Sequence, residues 1–214
     1  MLIKSIFAVS VTATILAAGA VVPAQASGST EPGTTSLAEV LTSDGNRFDR
    51  NARDYDIVTE AVLAVLAAKP TSPVGLLADG TVPLTAFIPN DFSFRVLTKD
   101  LTGRWYRSEK RVFTKLAGAV GIDAVESVLL YHVIPGATID SATALGADGV
   151  ALDTALEGAS ITVRVRCPRV PIIRLVDNDP NDINPWVNPR ALDINKGNLQ
   201  IAHGIVFVLR PADL

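Results

Sequence analysis

The stretch Leu84-Thr85-Ala86-Phe87-Ile88-Pro89-Asn90-Asp91-Phe92-Ser93-Phe94 changes character abruptly at Pro89. Apolar residues that suit a buried strand precede it, and a pair of capping residues and a helix start follow it. Asn90 or Asp91 can accept from the free backbone N–H groups of the next turn, which converts a strand to a helix within a few residues. This is a construction signal, and it carries no catalytic group.

Working outward, helices come first. Asp56 to Lys69 places Ile57, Val58, Ala61, Val62, Val65 and Leu66 on one broad face, with Asp54 or Asp56 as cap and Pro70 as stop. Leu76 to Val82 is a turn-containing connection into the strand. A second helix is expected from Asp91 to Leu101 and a third from Ser108 to Gly118. A fourth runs from Asp123 to His132, where Val125, Val128, Leu129 and His132 recur at three- and four-residue spacing, and Pro135-Gly136 ends it. From Ala137 onward the period falls to two, so Ile161-Val163-Val165, Ile172-Ile173-Leu175 and Ile205-Phe207-Leu209 read as strands. Helices followed by strands indicate an α+β domain.

The opening segment resembles the first signature of the fasciclin (FAS1) family, an apolar strand running into Phe-x-Pro-x-Asp-x-x-Phe, matched by Phe87, Pro89, Asp91 and Phe94. Tyr131-His132-Val133-Ile134-Pro135-Gly136 resembles the family's Tyr-His motif. His203-Gly204-Ile205-Val206-Phe207-Val208-Leu209-Arg210-Pro211 resembles its closing strand, with Val206 where the family usually has Asp. The resemblance spans Leu37 to Pro211. It implies a compact β-sandwich or wedge with helices packed along its edge, here as a single copy. It further implies extracellular adhesion or matrix interaction without catalysis, with Tyr131 and His132 as contact residues. The residues themselves favour a buried, structural role for that pair, because His132 completes an apolar helix stripe. Asp91 and His132 are expected to meet in the core and share a hydrogen bond.

Met1 to Ala26 reads as a secretory leader, with Lys4 as its positive region, Ile6 to Val22 as its apolar run and Ala24-Gln25-Ala26 as its cleavage site. Its removal leaves Ser27 to Ser36 as a flexible tether rich in Ser, Gly, Thr and Pro, then one domain from Leu37 to Leu214. The net charge of −3 becomes −4 once Lys4 is lost, which gives no electrostatic drive toward nucleic acid or anionic lipid. Arg104 to Arg111 is locally basic and reads as a solvated helix face. The expected product is a secreted monomer without stable membrane insertion, its partner an extracellular matrix or cell-surface protein or a glycan. Cys167, the single cysteine, falls on the apolar face of a strand, where a thiol behaves as a small core residue.

Catalytic signals are weak. There are two histidines and no Gly-x-Ser-x-Gly elbow, so a nucleophile with an oriented base has no motif to support it. His132, His203 and Cys167 lack zinc spacing. Asp177-Asn178-Asp179-Pro180-Asn181-Asp182 imitates the first positions of a calcium loop, but Asp182 stands where the turn needs Gly and Asn188 where a bidentate Glu belongs. No phosphate-cradling glycine loop occurs. No cofactor or metal is therefore expected. Asp177 to Arg190, with Pro180, Pro185 and Pro189, is expected to be an exposed insertion that offers Trp186 as an aromatic anchor. The alternative function is extracellular small-molecule or lipid binding in an apolar pocket between helices and sheet, which the 48% apolar composition permits.

Overall fold

β1 (Leu84–Pro89) is buried at all six positions because it runs through the middle of a sheet and is covered on both faces. The structure, a computed structural model, describes residues 31–43, 45, 48–166 and 171–213; the leader, the start of the tether and Cys167 lie outside them. On one side β1 pairs antiparallel with β2 (Val133–Pro135), and on the other parallel with β7 (Gln200–Val206), in register from Leu84 opposite Gln200 to Pro89 opposite Ile205. Antiparallel pairing then continues through β6 (Trp186–Val187), β5 (Ile172–Val176), β4 (Ser160–Arg166) and β3 (Ala151–Asp153). The order is β2-β1-β7-β6-β5-β4-β3. Just beyond β3, the Ala155 N–H donates to Val133 O at 2.8 Å, which draws the two sheet ends together into a nearly closed barrel or wedge.

The pleat of β1 sorts its side chains between two cores. Leu84, Ala86 and Ile88 face the helices, and Phe87 faces the barrel interior with Tyr131, Ile161, Leu175, Ile205 and Leu209. Each such side chain contributes roughly 1.5–3 kcal/mol when fully buried. The helical layer consists of α1 (Leu37–Thr42), α2 (Asp56–Ala68), α3 (Asp91–Thr102) and α4 (Glu109–Tyr131), with α5 (Ser141–Leu145) beside the barrel core. α3 starts as its sequence dictates, with Asn90 Oδ1 accepting from Ser93 N, and ends on Gly103 in the left-handed region. α4 joins the two helices expected at Ser108–Gly118 and Asp123–His132. The joint is Gly121, whose φ of 81° and ψ of 166° break the helix direction.

Three local readings are corrected. The closing strand runs from Gln200 to Val206 rather than through Leu209, because Phe207 takes a φ of 73° and its N–H is captured by Ser93 Oγ at 2.8 Å. The segment Asp177 to Arg190 is not wholly an exposed insertion. It contains β6, which fills the sheet between β5 and β7, and Asp179 within it is buried. The chain is also tied down ahead of Leu37: Gly33 exchanges backbone hydrogen bonds with Gly197 and Leu199, and Asn198 accepts from Thr35 N. Gln200, fully buried, locks this corner by accepting from Leu37 N and donating to Leu76 O and Asp79 O.

Candidate functional site

Both histidines are held by backbone groups at each ring nitrogen. His132 Nδ1 lies 2.6 Å from Val128 O and its Nε2 accepts from Leu209 N at 3.0 Å. The neutral ring therefore carries its proton on Nδ1, and burial pushes its pKa down to about 4. His203 Nδ1 accepts from Asp193 N, which leaves Nε2–H to donate to Ile139 O. Neither ring has a nitrogen left for a nucleophile or a metal. Tyr131 is fully buried, its hydroxyl donating to Ser160 O at 2.9 Å, and burial pushes its pKa up to about 12. Tyr131 and His132 thus present no side-chain surface to a partner.

The expected Asp91–His132 hydrogen bond does not form. Asp91 Oδ1 instead accepts from Ile57 N at 3.0 Å and supplies the cap of α2 that the sequence assigned to Asp54 or Asp56. The start of α3 faces the start of α2, whereas His132 spends its nitrogens on its own helix and on the segment after β7. Phe87, Pro89 and Phe94 are buried around this junction. Trp186 is half-buried in β6, edge-on to Phe207 with ring centroids 5.0 Å apart, which restricts it as an anchor.

The calcium-like run is organised by a cation of the chain itself. Arg210, buried, lies 2.8 Å from Asp100, 3.3 Å from Asp179 and 2.9 Å from Asp182, while its backbone N–H donates to Asp177 Oδ2. Burial raises Asp177 to about 6 against the pull of that N–H, with the Asp182 and Asp179 charges adding to the rise. The guanidinium takes the place a metal would need.

A second acidic group was not legible in the sequence. Carboxylate oxygens of Asp54, Asp91 and Glu109 lie within 4.8 Å of one another, as do those of Asp49, Asp54 and Asp56. Like charges at that range repel by roughly 3 kcal/mol at an effective dielectric near 20. Arg95 pairs with Glu109 at 2.7 Å. Burial pushes Asp91 up to about 8, despite the Ile57 N–H, and it also raises Asp54 and Glu109.

Three further features face outward or inward. Phe92 and Trp105, 41% and 46% exposed, form a tilted pair with centroids 6.1 Å apart. Trp105 belongs to the basic run, whose Arg104, Arg107, Lys110 and Arg111 are exposed and, among the described residues, free of ion pairs. Near Phe92, an open cleft of about 580 Å³ is lined by Arg53, Asn90, Asn188 and Arg190. Between β1, α2, α3 and α4 lies an apolar crevice that encloses about 50 Å³ and comes to about 850 Å³ when counted out to solvent. Val62, Leu97, Phe113, Leu116 and Val125 are among its walls. Among the described residues, no helix is long and apolar enough to cross a membrane.

No known family's sequence model matches the chain, and no curated protein matches it. In structure it is similar to a FAS1 domain pair from the insect cell adhesion molecule fasciclin I, with a TM-score of 0.55 and 16% identity over 83% of this chain. The chain spans about half, 51%, of the length of that solved chain. Three sequence motifs in order, a seven-stranded wedge with its central parallel pair and this structural match agree, and the fold is that of a fasciclin-like (FAS1) domain.

Proposed function

We infer that the chain is a secreted, non-catalytic binding domain acting in extracellular adhesion or matrix contact, and that its partner is an acidic polysaccharide. The observation that carries this reading is the coincidence of a tilted, exposed aromatic pair, Phe92 and Trp105, with a run of four cations that, among the described residues, pair with no carboxylate. On a protein of net charge −3 such a run attracts an anionic chain locally. Trp105 gives a sugar ring a flat apolar face, and Arg104 and Arg107 supply planar forks that match carboxylate or sulfate. The cleft with Arg53, Arg190, Asn90 and Asn188 extends the polar contact from Asn90, two residues from Phe92. The occupied histidines and the secretory leader are consistent with this class, and fasciclin I, of like fold, is a cell adhesion molecule.

Surface plasmon resonance against heparin and hyaluronan tests the reading. Binding to at least one is expected, falling as salt rises from about 50 to 150 mM, and falling about tenfold in Trp105→Ala. Equal binding by wild type and a Trp105→Ala/Arg107→Ala double variant, or no binding to either polyanion, would overturn it.

A second reading is favoured by the apolar crevice. Its enclosed volume of about 50 Å³ is far below the 300–1,000 Å³ or so of ligand pockets, so a lipid would have to part α3 and α4 from β1. Native mass spectrometry of gently purified protein checks it: a co-purifying apolar mass supports it, and a bare chain counts against it.

A further inference from the structure

We propose that Asp54, Asp91 and Glu109 form a binding site for a calcium ion, with Asp49 at its outer edge. These carboxylates come from three segments, the loop before α2 and the first residues of α3 and α4, and they converge within 4.8 Å. Their hydrogen bonds leave a specific remainder. Glu109 uses Oε1 for Arg95 and Oε2 for Asp49 N, and Asp91 uses Oδ1 for Ile57 N. Asp91 Oδ2 and Asp54 Oδ1 are buried with no N–H or O–H donor beyond a proton that the two carboxyl groups can share, and the Asp91 residue is 0% exposed. A carboxylate oxygen sealed from solvent with no donor demands a positive partner. Arg95 answers Glu109, and the pair Asp54–Asp91 is left to a shared proton, which a divalent cation would displace.

The donor set selects the ion. Every candidate ligand is an oxygen, with neither imidazole nor thiolate among them, which suits a hard divalent cation. Calcium holds oxygens at about 2.3–2.6 Å, so opposite ligands stand roughly 4.6–5.2 Å apart, while opposite ligands on magnesium stand about 4.2 Å apart. The three oxygens lie no more than 4.8 Å from one another, within reach of either ion, and calcium's tolerance of irregular geometry favours it at a site assembled from three separate segments. The pair Arg95–Glu109 fixes the third carboxylate from outside, as supports of metal ligands do. An ion here ties the starts of α2, α3 and α4 together. Because Asp54 sits on a loop and two of the three ligands are already engaged, affinity in the range of extracellular calcium modules, about 10⁻⁴–10⁻³ M, is expected.

The test uses the mature chain, stripped with chelator and dialysed. Isothermal titration with calcium chloride should show one site, and the same ion should raise the thermal midpoint in proportion to its occupancy. Magnesium chloride at equal concentration should bind at least about tenfold more weakly. Terbium luminescence, excited through Tyr55 beside Asp54, should be quenched by calcium. Asp54→Asn and Asp91→Asn should each weaken calcium about tenfold or more. Direct titration of the wild type stands apart from any folding defect in the variants. The proposal is overturned if calcium at about 10 mM neither binds nor shifts the midpoint. It is equally overturned if both variants keep wild-type affinity, or if stability responds to acidification and not to calcium, which would mean that a shared proton neutralises the cluster.

Discussion

Asp91, at the first turn of α3, accepts the backbone N–H of Ile57, 34 positions earlier in the chain, at 3.0 Å and so caps α2. The motif residue closest to the strand-to-helix switch thereby joins α2 and α3 to the sheet. Asp91→Ala should cost about 1–2 kcal/mol in chelator-treated protein, since it removes the cap of α2. Asp91→Asn keeps an acceptor oxygen for the Ile57 N–H, so it should lose clearly less. Urea denaturation of the two variants checks the order, and equal losses would show that the cap contributes nothing.

His132 makes stability depend on pH. Its folded pKa of about 4 lies below the usual value of 6.5, because burial disfavours the charged ring, which outweighs the pull of Val128 O. The unfolded chain takes up that proton as pH falls through 6.5, and the folded chain does so only near 4. Stability from this group is therefore complete above about pH 6.5 and is lost between 6.5 and 4, by roughly 3 kcal/mol in all. Asp177, with its pKa raised to about 6, works in the opposite sense over much of the same range, so the net profile alone cannot isolate His132. His132→Gln, which can still donate and accept, should flatten the acid limb relative to wild type. Superimposable midpoint-against-pH curves would refute the assignment.

Arg210 gathers Asp100, Asp179 and Asp182. Arg210→Met strands several carboxylates in a buried site and should cost about 3–5 kcal/mol. Arg210→Lys should recover little, because one ammonium cannot reproduce a fork that reaches three partners. Thermal melts of the pair decide it. A Lys variant close to wild type would mean that charge alone suffices.

Gly121 turns α4 with a φ of 81°, and an added Cβ would meet nothing within 4 Å. The penalty of Gly121→Ala is thus purely conformational, about 1–3 kcal/mol, and should appear without any change in the packing of Val125 or Leu129. Circular dichroism melts together with methyl NMR shifts would show it. A variant as stable as wild type would mean that the break adjusts freely.

The strand, the helix start and the four helices were legible because each runs long enough to show a period. β2, β3 and β6 have three, three and two residues, too few to alternate. β7 is buried at six consecutive positions, so the two-residue rhythm that marks a half-exposed strand disappears there. Alternation survives only in Ile205, Phe207 and Leu209, two of which lie beyond the strand. Asp54, Asp91 and Glu109 are 37 and 18 positions apart, and nothing local marks them as neighbours. Likewise the run from Asp177 resembled a calcium loop because its organiser, Arg210, stands 33 positions downstream of it. The aromatic pair was missed because Phe92 and Trp105 sit on different elements and only the turn after α3 brings them together.

The parallel partnership of β1 with β7 joins Leu84 to Gln200, residues from opposite halves of the domain. A ribosome delivers β1 more than a hundred residues before its neighbour, so throughout most of synthesis that strand is an uncovered apolar edge. No shortened chain that stops before Val206 can complete the centre of its sheet, and folding waits for the last part of the domain to arrive.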